Sequence, residues 1–264
     1  MESILKDLDA EYNSLDAIVS ELREDQWQIV TPLDDWTIKD EISHIAYYDE
    51  AARLSATDGD AFAAHMAKML EGITDMDSVF KKVNAIGGKL PVPKLLSWWR
   101  NERSKLLDAF RLKNPKDRLP WYGPPMSARS SATARIMETW AHGQDIVDAL
   151  KIKRPGTERL KHVAHIGVTT FGWSFMNRKL DIPQDPVRVE LTSPSGDIWE
   201  WGPSDAANSV KGDALDFSLV VTKRRHIKDT AIITKGITAE KWMSIAQAFA
   251  GPPEGGPQPG ERMF

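Results

Sequence analysis

Apolar residues recur at intervals of three and four through the first part of the chain, a spacing typical of helices that bury one face. One such run covers residues 4–22, and a second begins at Thr37, whose hydroxyl can cap a helix. Two further runs cover residues 93–112 and 127–150. Four long helices in a segment of this length predict a four-helix bundle over residues 1–152.

The segments between these helices have weaker patterns. Residues 31–36 are predicted to form a turn, and residues 114–126, which are rich in proline, are predicted to form a loop. Residues 58–90 are less regular, with a short helix expected at 62–70 and a stop at the glycine pair Gly87-Gly88.

The pattern changes after the sequence Lys153-Arg154-Pro155-Gly156, which is predicted to join two domains. A further helix is expected over residues 158–178. Apolar residues then alternate with polar ones at 187–191, and a Ser-Pro-Ser-Gly-Asp turn leads into residues 198–201, which predicts a β-hairpin.

The rest of the second half mixes helix and strand signals. Asp213 can cap a helix, residues 231–234 indicate a short strand, and Thr238 begins a last helix that is expected to end at Gly251. We therefore predict an α+β protein, in which the helical bundle precedes a smaller α/β domain at residues 157–250. Residues 251–264 contain four prolines and four glycines and are expected to be disordered.

Composition narrows the classes of function. The chain has 264 residues, 41% of them hydrophobic and 27% charged, with a net charge of −4 and no dense basic surface, so nucleic acid is not an expected partner. No apolar run approaches the length of a membrane span, and no signal-peptide pattern begins the chain. The absence of cysteine excludes disulfides and a cysteine nucleophile. A cytoplasmic monomer or homodimer is expected.

The most informative motif is Glu138-Thr-Trp-Ala-His142 in the last helix of the predicted bundle. A separation of four residues places both side chains on one helix face, and Asp145 lies on the same face. A hydrated pair of side chains at the protein surface is the ordinary explanation of this spacing. A polar stripe opposite a packing stripe can also line an internal cavity.

His44 changes the interpretation of that pair. It lies in the second predicted helix, on a flank shared with Glu41 and Tyr48, and it completes a set of two imidazoles and one carboxylate. Such a set with an open coordination position suits catalytic zinc, and it also suits non-haem iron(II) or another divalent metal. In helical bundles, ligands of this kind come from facing helices.

Two segments carry a resemblance to a known family. Pro32-x3-Trp-Thr-Ile-x3-Ile-x-His44 and Met137-Glu-Thr-Trp-Ala-His142-Gly-Gln-Asp resemble the metal-binding domain of mycothiol-dependent maleylpyruvate isomerases, which belong to the DinB-like four-helix superfamily. The second half is more loosely similar to the sterol-carrier-like C-terminal domain of that family. Within the family, the chain looks closest to an actinobacterial branch.

The resemblance implies a set of site residues and cofactors. Zinc would be held by His44, Glu138 and His142, mycothiol would be the thiol cofactor, and an arginine of the C-terminal domain, Arg224 or Arg225, would serve catalysis. Independently of the resemblance, Tyr122 and Arg135 are candidates for contact with the substrate. Asp145 is a candidate for orienting a ligand histidine.

The family implies thiol chemistry on a small electrophilic substrate. A thiolate that adds to the substrate and is later expelled produces cis–trans isomerisation, whereas a thiol that is retained produces S-transfer, and the sequence does not choose between them. Two other classes stay open. One is a zinc-dependent hydrolase that activates water, and the other is a binding protein with an apolar ligand and a structural metal.

Overall fold

The computed structural model describes residues 1–33, 35–73 and 75–263, and it divides the chain into two units. The first unit is Met1–Ile152 and the second begins at Lys153, where the sequence predicts a junction. None of the helices in the described ranges combines the length and the apolar character that a membrane crossing requires.

The described part of the first unit is almost entirely helical. Its α-helices are α1 (Glu2–Val19), α2 (Ile38–Thr57), α3 (Gly59–Leu70), α4 (Met76–Gly88), α5 (Val92–Arg111) and α6 (Ala128–Leu150). A 3-10 helix follows α1, and two short strands, β1 (Arg118–Leu119) and β2 (Met126–Ser127), pair antiparallel before α6. The four long helices α1, α2, α5 and α6 are those that the apolar periodicity predicts. Residue 34 of the predicted turn lies outside the described residues.

The four long helices bury their apolar faces in one core. Helix α2 packs against α5, α4 and α6, and helix α1 packs against α6 and α5. Burial of apolar surface on this scale is the dominant favourable term in folding. The side chains that fill the centre of the core are fully buried and include Leu8, Tyr12, Ile42, Trp99, Phe110 and Ile136.

The beginnings of α2 and α6 are fixed by side-chain caps. Thr37 accepts a hydrogen bond from the backbone N–H of Asp40, and the Asp40 carboxylate accepts one from the backbone N–H of Thr37 at 2.9 Å. The side chain of Ser127 caps α6 by accepting a hydrogen bond from the backbone N–H of Ser130 at 3.0 Å. Because these caps satisfy backbone donors that the first turn leaves unpaired, they define where each helix begins.

Helix α4 was not predicted, because residues 58–90 lack a regular apolar pattern, but it ends at Gly88, within the glycine pair that the sequence predicts as a stop. Gly87 also lies where α4 comes close to α2. A Cβ at Gly87 would lie 2.4 Å from Oγ of Ser43, and the backbone N–H of Gly87 donates to that oxygen at 3.0 Å. Gly87 therefore permits the close packing of α4 against α2 in the last turn of α4.

The second unit combines a four-stranded sheet with helices. Its elements within the described residues are α7 (Leu160–Thr169), α8 (Phe171–Met176), β3 (Val187–Thr192), β4 (Ile198–Trp201), β5 (Asn208–Asp213), α9 (Ala214–Val221), β6 (Ile233–Lys235) and α10 (Ile237–Ile245). The strand order is β4-β3-β5-β6. Strands β3 and β4 form the predicted antiparallel hairpin, β5 runs parallel to β3, and β6 pairs antiparallel with β5.

Three features of this unit differ from the sequence predictions. The single helix expected over 158–178 is two helices, because the chain bends where the Thr169 and Thr170 hydroxyls bond back to carbonyls of the preceding turn. Strand β5 was not expected, since its sequence Asn-Ser-Val-Lys-Gly-Asp has little apolar alternation. Helix α10 ends at Ile245 rather than Gly251.

The C-terminal segment also differs from the expected disordered tail. The backbone N–H of Glu254 donates to the side chain of Gln247 at 3.0 Å, and the backbone N–H of Gly260 donates to the carboxylate of Asp229 at 2.9 Å. Arg262 is buried. The described part of the segment is therefore irregular but packed against the second unit, because its many turns expose backbone donors that these side chains satisfy.

Candidate metal centre

Helices α2 and α6 bring together the three side chains that the sequence singles out. His44 lies on α2, and Glu138 and His142 lie one turn apart on α6. One ligand atom of each residue lies within 4.8 Å of the others, and both histidines are buried. The two imidazole rings are 4.6 Å apart between centroids, and Nε2 of His142 is 3.3 Å from Oε2 of Glu138.

The second ring nitrogen of His142 faces another residue of α2. Nδ1 of His142 donates to Oε2 of Glu41 at 2.6 Å, and the hydroxyl of Thr31 donates to the other carboxylate oxygen of Glu41, also at 2.6 Å. Glu41 is fully buried. A carboxylate that accepts the Nδ1 proton leaves Nε2, which faces Glu138, as the nitrogen that can ligate a metal once it has lost its own proton.

Burial and hydrogen bonding shift the pKa of His142 in opposite directions. Burial lowers the pKa of the imidazole, whereas hydrogen bonds to Glu138 and Glu41 raise it, and the carboxylates prevail, with a resulting pKa of about 9. Burial and the charge of Asp145 raise the pKa of Glu41, although the hydrogen bond to His142 opposes them. A cationic imidazole in this position compensates for nearby negative charge when no metal is bound.

Aromatic rings surround the histidine pair. The Trp36 ring stacks on His142 at 5.9 Å between centroids with 6° between the planes, and it lies 5.0 Å from His44. Tyr48 lies 4.6 Å from His44 on its other side, and Phe80 of α4 lies 6.1 Å from His44. Such rings limit access of water and lower the local dielectric constant around the ligand atoms.

The donor set fits a divalent metal with an open coordination position. Two imidazoles and one carboxylate on facing helices are typical of catalytic zinc and of non-haem iron, and the contact of Nδ1 of His142 with Glu41 leaves Nε2 as the nitrogen available for ligation. A second possible group, formed by Glu41, His142 and Asp145, is completely buried. In that group the 2.6 Å contact between Nδ1 of His142 and Glu41 has the length of a hydrogen bond, which favours the first set as the candidate metal site.

Arg135 lies next to the site in a buried ion pair. Its Nε donates to Oδ1 of Asp49 at 2.8 Å, and the hydroxyl of Tyr12 donates to the same oxygen at 2.6 Å. Burial lowers the pKa of Arg135, but the charges of Asp49 and Glu138 raise it above the usual value. The guanidinium therefore has a structural partner, and its charge still acts on the carboxylate of Glu138.

Tyr122 lies one ring away from the histidines. It packs edge-on against Tyr48 at 5.7 Å between centroids and also against Phe62 and Trp121. Burial raises the pKa of its hydroxyl well above the usual range. Tyr122 is therefore a neutral residue of the aromatic wall that continues from Tyr48.

Arg224 and Arg225 follow α9 in the second unit, and both are buried. Nη1 of Arg224 donates to the carbonyl of Thr222 at 2.6 Å, and Nη1 of Arg225 donates to the carbonyl of Arg224 at 2.7 Å. The first bond satisfies the carbonyl of Thr222, the residue that caps the C-terminal end of α9, and the second lies just beyond the helix.

Sequence reasoning did not select Glu41 and Thr31 as site residues. It named Asp145 as the residue that could orient a ligand histidine, and Asp145 lies 3.9 Å from Nδ1 of His142, beyond hydrogen-bond distance. A signal for Glu41 was present, because a residue three positions before His44 lies on the same flank of α2. Thr31 has no such signal, since it precedes α2 in an irregular segment.

Comparison with known proteins identifies the family of the first unit. Residues 8–147 match the family model described as mycothiol maleylpyruvate isomerase N-terminal domain, and residues 183–235 match the model described as wyosine base formation. Two uncharacterized proteins of Mycobacterium tuberculosis are each 44% identical over 248 residues, which covers 94% of this chain and 95% of the relative.

Solved structures agree with the fold. Crystal structures of the mycothiol-dependent maleylpyruvate isomerase and of a mutant of it match with TM-scores of 0.58 and 0.57 at 15% sequence identity. Each match covers 88% of this chain and 92% of the other. The predicted α+β architecture is thereby confirmed. Because the N-terminal domain model matches more than half of the chain, this protein belongs to the mycothiol maleylpyruvate isomerase family.

Proposed function

We propose that this protein is a metal-dependent enzyme that uses a low-molecular-weight thiol, mycothiol in the first place, to modify a small electrophilic substrate. The observation that carries the proposal is the convergence of His44, Glu138 and His142 from two helices. Membership of a family described by mycothiol-dependent isomerisation supports the thiol. The 44% identical relatives have no assigned reaction, so the substrate itself is not specified.

His44, Glu138 and His142 would hold the metal, with Zn²⁺ preferred and Fe²⁺ or another divalent ion as alternatives. When bound there, the metal would stabilise the anion of a thiol, or of water, near neutral pH. The chain has no cysteine, so the reacting thiol must be a small molecule. Trp36, Tyr48 and Phe80 lie around His44 and would limit the access of water to the metal, which would favour addition of the thiol over hydrolysis.

The proposed chemistry begins with formation of a carbon–sulfur bond. The thiolate adds to an electrophilic double bond, and the electron pair of that bond moves onto the activating group of the substrate. Rotation about the resulting single bond, followed by cleavage of the carbon–sulfur bond, returns the thiol and gives the cis–trans isomer. If a proton instead adds to the substrate carbon, the thiol is retained and the product is an S-conjugate.

Other residues have proposed roles at this site. Arg135 is fixed by Asp49 and adds positive charge beside Glu138, which favours an anionic substrate. Tyr122 would contact the apolar part of the substrate through the wall that it shares with Tyr48. Arg224 and Arg225 are the two candidates for the catalytic arginine that the family implies. Separate alanine substitutions, assayed for activity and for metal content, would distinguish them.

The metal assignment is tested by removing one ligand. His142→Ala should lose most of the bound metal, while the bundle stays folded, because its helices are held by an apolar core away from the ligand atoms. Elemental analysis measures the metal, and far-ultraviolet circular dichroism measures the helix content. His162→Ala in the second unit is the matched control and should keep full metal content. Full occupancy in His142→Ala would rule out the assignment.

The reaction class is tested by thiol dependence. The metal-loaded protein should convert electrophilic alkenes, such as cis-configured unsaturated dicarboxylates, only when mycothiol or its cysteinyl-glucosamine analogue is present. Mass spectrometry and chromatography of the product distinguish an isomer from an S-conjugate. Hydrolysis of esters or amides without thiol would favour the water-activating hydrolase. A tightly bound apolar ligand, together with four protein ligands to the metal, would favour the binding protein.

A further inference from the structure

Four contacts link the metal ligand His142 to the segment that precedes α2. His142 donates to Glu41, Glu41 accepts from Thr31, the backbone N–H of Thr31 donates to the carbonyl of Trp36 at 2.6 Å, and the Trp36 ring stacks on His142. The contacts form a closed circuit in which each member is held from two sides. The imidazole of His142 is thus held in its plane by the hydrogen bond to Glu41 and on one face by the Trp36 ring.

Both oxygens of the Glu41 carboxylate are used in this circuit. Oε2 accepts from His142 and Oε1 accepts from Thr31, each at 2.6 Å, and the side chain is fully buried. A buried carboxylate with both oxygens engaged cannot rotate without breaking a charge-assisted hydrogen bond. The direction of the His142 ring therefore follows the direction of the Glu41 carboxylate.

We propose that Glu41 is the positioning residue of the metal centre and that Thr31 holds Glu41 in place. This inference rests on the metal site of the proposed function and adds residues that act through His142 rather than on the metal. Glu41 keeps the proton on Nδ1, so that Nε2, which faces Glu138, is the nitrogen that loses its proton and ligates. Residues that hydrogen-bond to ligand histidines in this way typically change metal affinity by about 10- to 100-fold when they are replaced.

The first test is metal affinity, measured by zinc titration in competition with a chromophoric chelator. Glu41→Ala should weaken zinc binding by about 10- to 100-fold, and Glu41→Gln, which keeps an acceptor oxygen, should weaken it less. Glu102→Gln removes another buried carboxylate, on α5 beside Arg53, and should leave zinc affinity unchanged. Zinc affinity of Glu41→Ala within about twofold of that of the unmodified protein would overturn the proposal.

The second test separates positioning from general stability. In the zinc-loaded protein, the Nδ1 proton of His142 should give a downfield resonance in proton NMR, identified by its loss in His142→Ala. Glu41→Gln should move this resonance and Glu41→Ala should broaden it by exchange with water. Asp145→Asn should leave it in place. If Asp145→Asn removes the resonance and Glu41→Ala does not, Asp145 is the positioning residue and the proposal is wrong.

A milder pair of variants serves if Glu41→Ala does not fold. Thr31→Val removes the hydroxyl that holds Glu41 and should weaken zinc binding measurably, whereas Thr31→Ser keeps the hydroxyl and should restore it. Equal zinc affinity in these two variants would contradict the role of Thr31. If the unmodified protein binds no metal, the proposed function fails first. If it binds metal and only the Glu41 and Thr31 variants are without effect, the positioning role alone fails.

Discussion

His142 is the residue whose chemistry depends most on its neighbours. Its two ring nitrogens face carboxylates of different helices, Glu138 of α6 and Glu41 of α2. Burial alone would favour the neutral ring, but the two carboxylates favour the cation, and the pKa is raised to about 9. At neutral pH the metal-free imidazole is therefore protonated, and ligation through Nε2 must displace that proton.

This proton gives metal binding a defined pH dependence. Because the raised pKa is about 9, zinc affinity should rise about tenfold per pH unit from pH 7 to 8 and level off only above about pH 9. An unperturbed histidine, with a pKa of about 6.5, would level off near pH 7. Isothermal titration calorimetry at pH 7.5 in buffers of different ionisation enthalpy should show about one proton released from His142 per zinc. Zinc affinity that does not change between pH 7 and 8.5 would contradict this prediction.

Protonation of His142 affects the stability of the metal-free protein in the opposite direction to its effect on zinc affinity. A pKa raised above its unfolded value stabilises the fold below pH 6.5, and that stabilisation is lost as the pH rises through about 9. The free energy of unfolding of the chelator-treated protein should therefore fall over this range while zinc affinity rises. Opposite slopes from one protein would assign both effects to the same imidazole.

The effect of replacing Arg135 on the free energy of unfolding depends on its buried partner, Asp49. Arg135→Met would leave the Asp49 carboxylate buried without its cation and should lower the free energy of unfolding by about 3–5 kcal/mol. Tyr12→Phe removes only a hydroxyl that donates to Asp49 and should cost about 1 kcal/mol. Urea unfolding followed by circular dichroism measures both changes. A loss for Arg135→Met no larger than for Tyr12→Phe would mean that the ion pair is not structurally important.

At the scale of elements, the apolar periodicity of the sequence was sufficient to predict a helix where that helix buries one continuous apolar stripe. Helices α1, α2, α5 and α6 have such stripes, and caps at Thr37 and Ser127 mark two of their beginnings. The sequence therefore predicts these helices, including the two that carry the candidate metal ligands. Helix α4 was not predicted, because residues 58–90 lack a continuous apolar stripe. The close packing of Gly87 against Ser43 could not be predicted either, because Ser43 is distant in sequence.

The residues of the candidate site also divide into those that the sequence could identify and those that it could not. His44, Glu138 and His142 could be selected from residue type, spacing and resemblance, since ligand chemistry restricts which residues can serve. Glu41 and Thr31 could not be selected, because a hydrogen bond to the far side of a ring depends on how α2 and α6 face each other. The Trp36 ring against His142 depends in addition on an irregular segment, for which periodicity carries no information.

The contact between α2 and α4 can be tested with two adjacent glycines. A Cβ at Gly87 would lie 2.4 Å from Oγ of Ser43, whereas a Cβ at Gly88 would meet nothing within 4 Å. Gly87→Ala should therefore lower the free energy of unfolding by about 1–3 kcal/mol through overpacking. Gly88→Ala should be neutral or slightly stabilising, because alanine loses less conformational entropy on folding. Equal urea midpoints for the two variants would contradict the close approach of these helices.

At the scale of the whole molecule, the family relation covers the two units unequally. The isomerase domain model matches residues 8–147, and the second unit matches a different model over residues 183–235. The 44% identical relatives nevertheless span 94% of the chain, so this combination of units recurs in related proteins. The sterol-carrier-like architecture that the resemblance implies for the second unit stays a prediction. A substrate assignment must therefore come from experiments on the full chain.

Whether a thiol binds the metal can be tested directly by a spectroscopic experiment on the full chain. With cobalt(II) in place of zinc, a thiol whose sulfur reaches the metal adds a sulfur-to-cobalt charge-transfer band in the near ultraviolet. We expect this band with mycothiol, because His44, Glu138 and His142 provide only three protein ligands and the chain has no cysteine to compete. The S-methyl derivative of mycothiol is the matched control, since it keeps the sugar groups but cannot form a thiolate. A cobalt spectrum that millimolar mycothiol leaves unchanged would exclude the thiol enzyme and make the water-activating hydrolase the leading hypothesis.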